Sequence, residues 1–145
     1  MPGTTRSAVL YAEDDPNDVL FMRYAWLKAG VPNPLKVVHD GGEVLRYLAG
    51  EGLYADRVMY PVPCLILMDL KMPLVSGLDA LRWIRAQPTL QGLRVIMLSS
   101  SKHDVDLDVA RKQRAEAYFV KPLRLDEWVG IVERLNDSWL EEPST

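Results

Sequence analysis

Cysteine is nearly missing from this 145-residue chain: Cys64 stands alone. That excludes an intramolecular disulfide and a multi-cysteine zinc site within one chain, and it suits a reducing compartment. Histidine is almost as scarce, and His39 and His103 have no matched ligand set. A basic excess is missing too. The 17 Lys and Arg against 20 Asp and Glu leave a formal charge of −3, whereas a stand-alone nucleic-acid binder is expected to be basic. No stretch nears the ~18 apolar residues of a membrane span. The opening MPGTTRSAVLYAEDD holds no apolar segment long enough for a signal peptide before its acidic cluster. Neither G-x-x-x-x-G-K-[ST] nor G-x-G-x-x-G occurs, so nucleotide binding through those loops is not expected. Internal repeats and low-complexity segments are absent. The expectation is a soluble, cytoplasmic protein with neither a membrane nor a nucleic acid as partner.

What is present is ordinary for a globular domain: 48% hydrophobic and 26% charged residues. The length suits one domain, expected over residues 1–145, with a core at about 7–140 and a frayed tail at 141–145. Short apolar runs recur at Ala8-Val9-Leu10-Tyr11, Leu35-Lys36-Val37-Val38, Cys64-Leu65-Ile66-Leu67-Met68 and Arg94-Val95-Ile96-Met97-Leu98, with a weaker one at Ala117-Tyr118-Phe119-Val120. The third and fourth are almost unbroken, as strands covered on both faces are. Helix-forming segments separate them, at about 18–29, 43–49, 78–86, 104–113 and 126–140. The first stops at Gly30, with Pro32 and Pro34 beyond, and its apolar residues spread too widely to define a buried face. The fourth alternates like a strand at Val105, Leu107 and Val109, but its acids come first and its bases last, which complements a helix dipole. In the last, Trp128, Val132, Leu135 and Trp139 form one stripe. Residues 50–63 are longer than a connection needs and read as an ordered surface loop.

Alternating strands and helices predict a doubly wound α/β fold with a parallel sheet. Such folds place their sites at the carboxyl ends of the strands. Strand one ends into Glu13, Asp14 and Asp15, strand three into Asp69, strand four into Ser99, Ser100 and Ser101, and strand five into Lys121-Pro122. Crowded carboxylates repel unless a cation intervenes, and Mg²⁺ favours a few carboxylates plus water and phosphate oxygens. Asp14, Asp69 and one further acid carry −3; Mg²⁺ and Lys121 return +3. A carboxylate such as Asp69 is a competent nucleophile for phosphoryl transfer. Lys121 and Ser99 are suited to the phosphoryl oxygens. Asp15 reads as the cap of a helix that Pro16 begins. Asp104, Asp106 and Asp108 imitate a calcium loop but lack its Gly and its final acid.

This set resembles the response-regulator receiver domain of two-component signalling. The match rests on Glu13-Asp14, on Asp69-Leu70-Lys71-Met72-Pro73 with Gly77 following, on Ser99 and on Lys121-Pro122. The resemblance implies a flavodoxin-like five-stranded parallel sheet in the order 2-1-3-4-5. Asp69 would be the phosphoacceptor. Mg²⁺ or Mn²⁺ would be held by Asp14, Asp69, the main-chain carbonyl of Lys71 and, through water, Glu13. Ser99 and Lys121 would contact the phosphoryl group. Ser99 and Tyr118 would form the switch, and the Lys121–Pro122 peptide bond would be cis. The donor would be a phosphohistidine on a sensor histidine kinase. The 50–63 loop, the AEDDPND opening and the Ser138-Trp139-Leu140 ending are similar to single-domain regulators partnered with phytochrome-type kinases, which implies a bacteriophytochrome partner and a homodimer through helix four, strand five and helix five. Two positions depart from the family pattern: Arg114 and Ala115 replace Gly-Ala before strand five, and Lys71 is a long cation beside the acceptor. Two other functions compete. An Asp-dependent phosphohydrolase would need a second acid where Lys71 stands. A phosphate-independent binding module would not need the full set of site residues. The chain is expected to be no enzyme beyond Mg-dependent self-phosphorylation and autodephosphorylation.

Overall fold

A computed structural model describes residues 7–100 and 102–140; Ser101 and the tail at 141–145 lie outside the described residues. Five parallel strands, β1 (Val9–Ala12), β2 (Leu35–Val38), β3 (Leu65–Met68), β4 (Arg94–Ser99) and β5 (Ala117–Val120), form one sheet in the order 2-1-3-4-5. The registers pair Val9 with Leu35 and Leu65, Leu65 with Arg94, and Ile96 with Ala117. The crossovers are α1 (Pro16–Lys28), α2 (Gly41–Ala49), α3 (Gly77–Ala86) and α4 (Asp104–Lys112), and α5 (Leu125–Ser138) follows the last strand.

Strand side chains alternate between two cores. Leu10, Ala12, Ile66, Met68, Val95 and Met97 face α2, α3 and α4. Val9, Tyr11, Leu65, Leu67, Ile96 and Leu98 face α1 and α5. Each core therefore sits on one side of the sheet, and β1 and β3, buried on both faces, read as continuous apolar runs.

The structure settles what the sequence left open about the helices. In α1, Met22, Ala25 and Trp26 are buried while Leu20, Tyr24 and Leu27 face outward. The fourth segment is helical, with Asp104 and Asp106 in the first turn and Arg111 and Lys112 in the last. Trp139 packs edge-on against Phe119, with ring centroids 6.1 Å apart, and covers the end of the α1/α5 core.

The 50–63 segment is ordered. The Tyr47, Tyr54 and Tyr60 rings cluster at centroid distances of 4.9–6.0 Å, with Tyr60 edge-on to the other two. Arg57 donates to the Tyr47 and Leu48 carbonyls at the end of α2, where the helix leaves acceptors open, and to the Tyr60 carbonyl of the loop. Gly50 ends that helix in the left-handed conformation at φ 69°. Arg114, where the resemblance implied glycine, adopts φ 63° and pays the left-handed strain of a side chain. Its carbonyl accepts from Arg85 Nη2 at 2.8 Å, and its own Nη2 donates to Gln91.

Candidate functional site

The alternation that sorts the two cores also builds the site. Continuing Val9 and Tyr11 by two residues reaches Glu13. Leu65 and Leu67 lead to Asp69, Ile96 and Leu98 to Ser100, and Phe119 to Lys121. The ladder persists past the strand ends, because Asp69 N–H donates to Ala12 O and Lys121 N–H to Ser99 O. All four residues line one crevice of about 430 Å³, together with Asp14, Asp15, Asp18, Lys71, Pro122 and Leu123. Ser99 and Tyr118 have the opposite parity, shared with Met97, and Tyr118 packs against the core that faces α4.

Glu13, Asp14 and Asp69 each offer a carboxylate oxygen, all within 4.8 Å of one another. Hard oxygen donors in a compact trio fit Mg²⁺ or Mn²⁺. Asp14 is exposed while Glu13 and Asp69 are buried. Lys121 Nζ lies 2.7 Å from Glu13 Oε1, 2.7 Å from Asp18 Oδ2 and 2.8 Å from Asp69 Oδ2. Burial alone would lower the ammonium pKa, but hydrogen bonds to Asp18, Asp69 and Glu13 outweigh it and the net shift is upward. Burial pushes the Glu13 carboxyl up to about 7; the hydrogen bond from Lys121 opposes that rise and the Asp69 charge adds to it. Glu13 also accepts from the Asp15 N–H at 3.2 Å and the Tyr11 hydroxyl at 3.4 Å. The Tyr11 hydroxyl is held protonated by burial and by the neighbouring Glu13, Asp18 and Asp69 charges.

Local structure fixes the acceptor loop. Lys71 N–H donates to Asp69 Oδ1 at 3.3 Å. Gly77 N–H donates to the Leu70 carbonyl at 2.8 Å, and a Cβ on Gly77 would collide with the Asp69 carbonyl oxygen. Only glycine lets the start of α3 pass this close behind Asp69. Asp15 takes the structural role expected of it, accepting from Asn17 N–H as the cap of α1.

Glu13, Asp14, Asp69, Lys71 and Lys121 thus come together as expected. Ser99, 1% exposed at the end of β4, does not line the crevice; Ser100 does. One expectation is corrected. No peptide bond among the described residues is cis, so Lys121–Pro122 is trans. An X–Pro bond favours trans by about 0.5–1 kcal/mol, and Lys121 reaches all three carboxylates from that geometry. Sequence reasoning missed Asp18, although an acid in the first turn of a helix opening right after an acidic pair could have flagged it. It also missed Tyr11, two residues before Glu13 and hence on the same strand face. His39 lies exposed in the bend after β2, with its Nδ1 3.3 Å from the Glu13 carbonyl oxygen.

Comparison with known proteins agrees with this geometry. The family model described as the response regulator receiver domain matches residues 9–133. Response regulator Rcp1 of Synechocystis is 26% identical over 133 residues, covering 92% of this chain and 88% of Rcp1. Its Mn²⁺-bound structure superposes with a TM-score of 0.84 at 25% identity, over 95% of this chain and 97% of that one. The phosphorylated cyanobacterial phytochrome response regulator RcpA gives 0.86 at 29% identity, over 96% and 97% of the two chains. Response regulator RPA3017, from red light signaling of R. palustris, gives 0.88 at 32% identity, over 96% and 99%. Receivers carry a phosphoryl group on an aspartate and pair with histidine kinases, and this chain belongs to the response regulator receiver domain family.

Proposed function

We propose that Asp69 is the phosphoacceptor and that the chain works as a receiver in a two-component phosphorelay. The observation that carries this is Asp69 itself: a buried carboxylate at a strand end, within a carboxylate trio and 2.8 Å from Lys121 Nζ. In the transfer, an Asp69 carboxylate oxygen attacks the phosphorus of a phosphohistidine. The O–P bond forms as the N–P bond breaks, and the bonding pair stays on the imidazole nitrogen. Asp14, the exposed member of the trio, and Asp69 would hold Mg²⁺ or Mn²⁺, with the Lys71 carbonyl beside them, and the ion would supply positive charge against the carboxylates and the phosphoryl oxygens. Glu13, committed to Lys121, Tyr11 and the Asp15 N–H, would reach it through water. Lys121 orients the phosphoryl group, and hydrolysis of the acyl phosphate by water resets the protein.

The signal leaves through Ser99 and Tyr118. Both lie on the α4 side of the sheet, and Tyr118 lines a cavity of about 310 Å³ with Leu107, Ala110 and Ala115. Movement of Ser99 toward the phosphoryl group makes room for the Tyr118 ring and shifts a pre-existing equilibrium of the α4–β5–α5 surface. Dimerisation through that surface, a bacteriophytochrome kinase as donor and action in the cytoplasm belong to the same reading. The phytochrome donor is supported by the similarity to RcpA, a phytochrome response regulator, and to RPA3017, from red light signaling, along nearly the whole of each chain.

The test is intact-mass spectrometry after incubation with Mg²⁺ and acetyl phosphate. One added phosphoryl group is expected in the parent and none in Asp69→Ala. An adduct on both, or on neither while Mg²⁺ binds, overturns the assignment.

A further inference from the structure

We propose that Asp18 is a positioning residue for phosphoryl transfer, holding the Lys121 ammonium so that one N–H stays directed at the acceptor oxygen of Asp69. The inference rests on Asp69 being the acceptor. A lysine ammonium has three hydrogens on a flexible four-carbon stem. Here they meet three carboxylate oxygens, from Glu13, Asp18 and Asp69, at 2.7, 2.7 and 2.8 Å. Transfer changes just one of these acceptors: the Asp69 carboxylate becomes an acyl phosphate, and a phosphoryl oxygen takes its place beside the ammonium. Glu13 and Asp18 keep their place throughout, so two anchored hydrogens define the direction of the third. Charge-assisted hydrogen bonds of this kind are short and directional.

Asp18 suits the task because it has no share in the metal trio. It sits in the first turn of α1, behind the Asp15 cap and Pro16, which fix its backbone. Its side chain is 18% exposed and that of Lys121 10%, so water competes weakly for the pair. It also alters the charge balance: four carboxylates, counting Asp18, now face Lys121 and one divalent cation.

A plain structural staple between α1 and the β5–α5 loop would show the same ion pair, and the test separates the two. The full chain is compared with Asp18→Ala and Asp18→Asn, using acetyl phosphate and graded Mg²⁺, with Asp69→Asn as the adduct control. In Asp18→Ala the maximal phosphorylation rate is expected to fall about tenfold, since small misplacements of a catalytic group are costly. The Mg²⁺ concentration for half-maximal rate stays within about threefold, because the trio is intact. Asp18→Asn keeps an oxygen acceptor and returns the rate to within about threefold of the parent. Independently of any phosphodonor, the Lys121 ¹⁵Nζ ammonium resonance should be sharp in the parent and exchange-broadened in Asp18→Ala. A parent that takes no phosphoryl group overturns the acceptor reading and this role with it. A phosphorylated parent whose rate both variants match, whatever their thermal stability, overturns the role of Asp18 alone.

Discussion

The two helices that flank β5 are held very differently. α5 buries Trp128, Val132 and Leu135 against the sheet, and Trp128 meets Phe21 of α1 with ring centroids 6.0 Å apart. On the same side of the sheet, the Asp18–Lys121 ion pair ties α1 to the loop that enters α5. α4, on the opposite face, buries only Ala110 and leaves Val105 71% exposed. Apolar burial is the main favourable term in folding, and segments with few buried apolar contacts open at lower free energy. α5, with α1, therefore serves as the frame that keeps the site's charges in place. α4 is the helix that opens at lower cost, and it lies on the side of the sheet that carries Ser99 and Tyr118.

The comparison breaks if the strong side proves replaceable. Trp128→Ala is expected to cost about 3–5 kcal/mol in urea unfolding, the range for deleting a large buried aromatic; a loss under about 1 kcal/mol would leave the two helices equivalent. The carboxyl of Glu13, raised from 4.5 to about 7, gives the frame a pH signature. Between those values the folded protein binds more proton than the unfolded chain. The contribution is therefore complete below pH 4.5 and is lost as pH climbs to about 7. In chelator, stability should decline across that window by on the order of 2 kcal/mol, and Glu13→Gln should flatten the profile. An unchanged slope in the variant would place the titration elsewhere.

Smaller effects sharpen the weak side. Arg114 leaves α4 through a left-handed turn, so Arg114→Gly should stabilise by up to about 1 kcal/mol, strain relief exceeding the cost of a freer unfolded chain. Destabilisation would show that the Gln91 contact holds the turn. Val105→Ala should stay within about 0.5 kcal/mol of the parent. Amides of α4 should exchange with deuterium sooner than those of α5; equal protection would remove the distinction between frame and responder.

Much of this was legible before any coordinates. The β and α periods, the Asp15 cap, the helix stop at Gly30 and the acids and lysine at strand ends are local properties, because side-chain alternation and capping depend on neighbours a few residues apart. They suffice for a doubly wound parallel sheet with Glu13, Asp14, Asp69 and Lys121 at one end of it; the strand order followed from the resemblance to the receiver family that those residues carry. Only the tertiary structure decided which carboxylates share the ammonium. Asp18 and Lys121 are 103 residues apart in the chain, and their distance depends on how α1 and α5 dock on one face. The buried face of α1 was likewise undecided, since apolar residues surround that helix and the packing of Met22, Ala25 and Trp26 selects among them. Strand parity across the sheet put Ser100 in the crevice and Ser99 on the α4 side, and no single strand read alone shows which face its neighbours use. The raised Glu13 carboxyl has the same origin. Its charge is costly because the fold removes water around it, a property of the assembled sheet end and not of the residues flanking Glu13 in the chain.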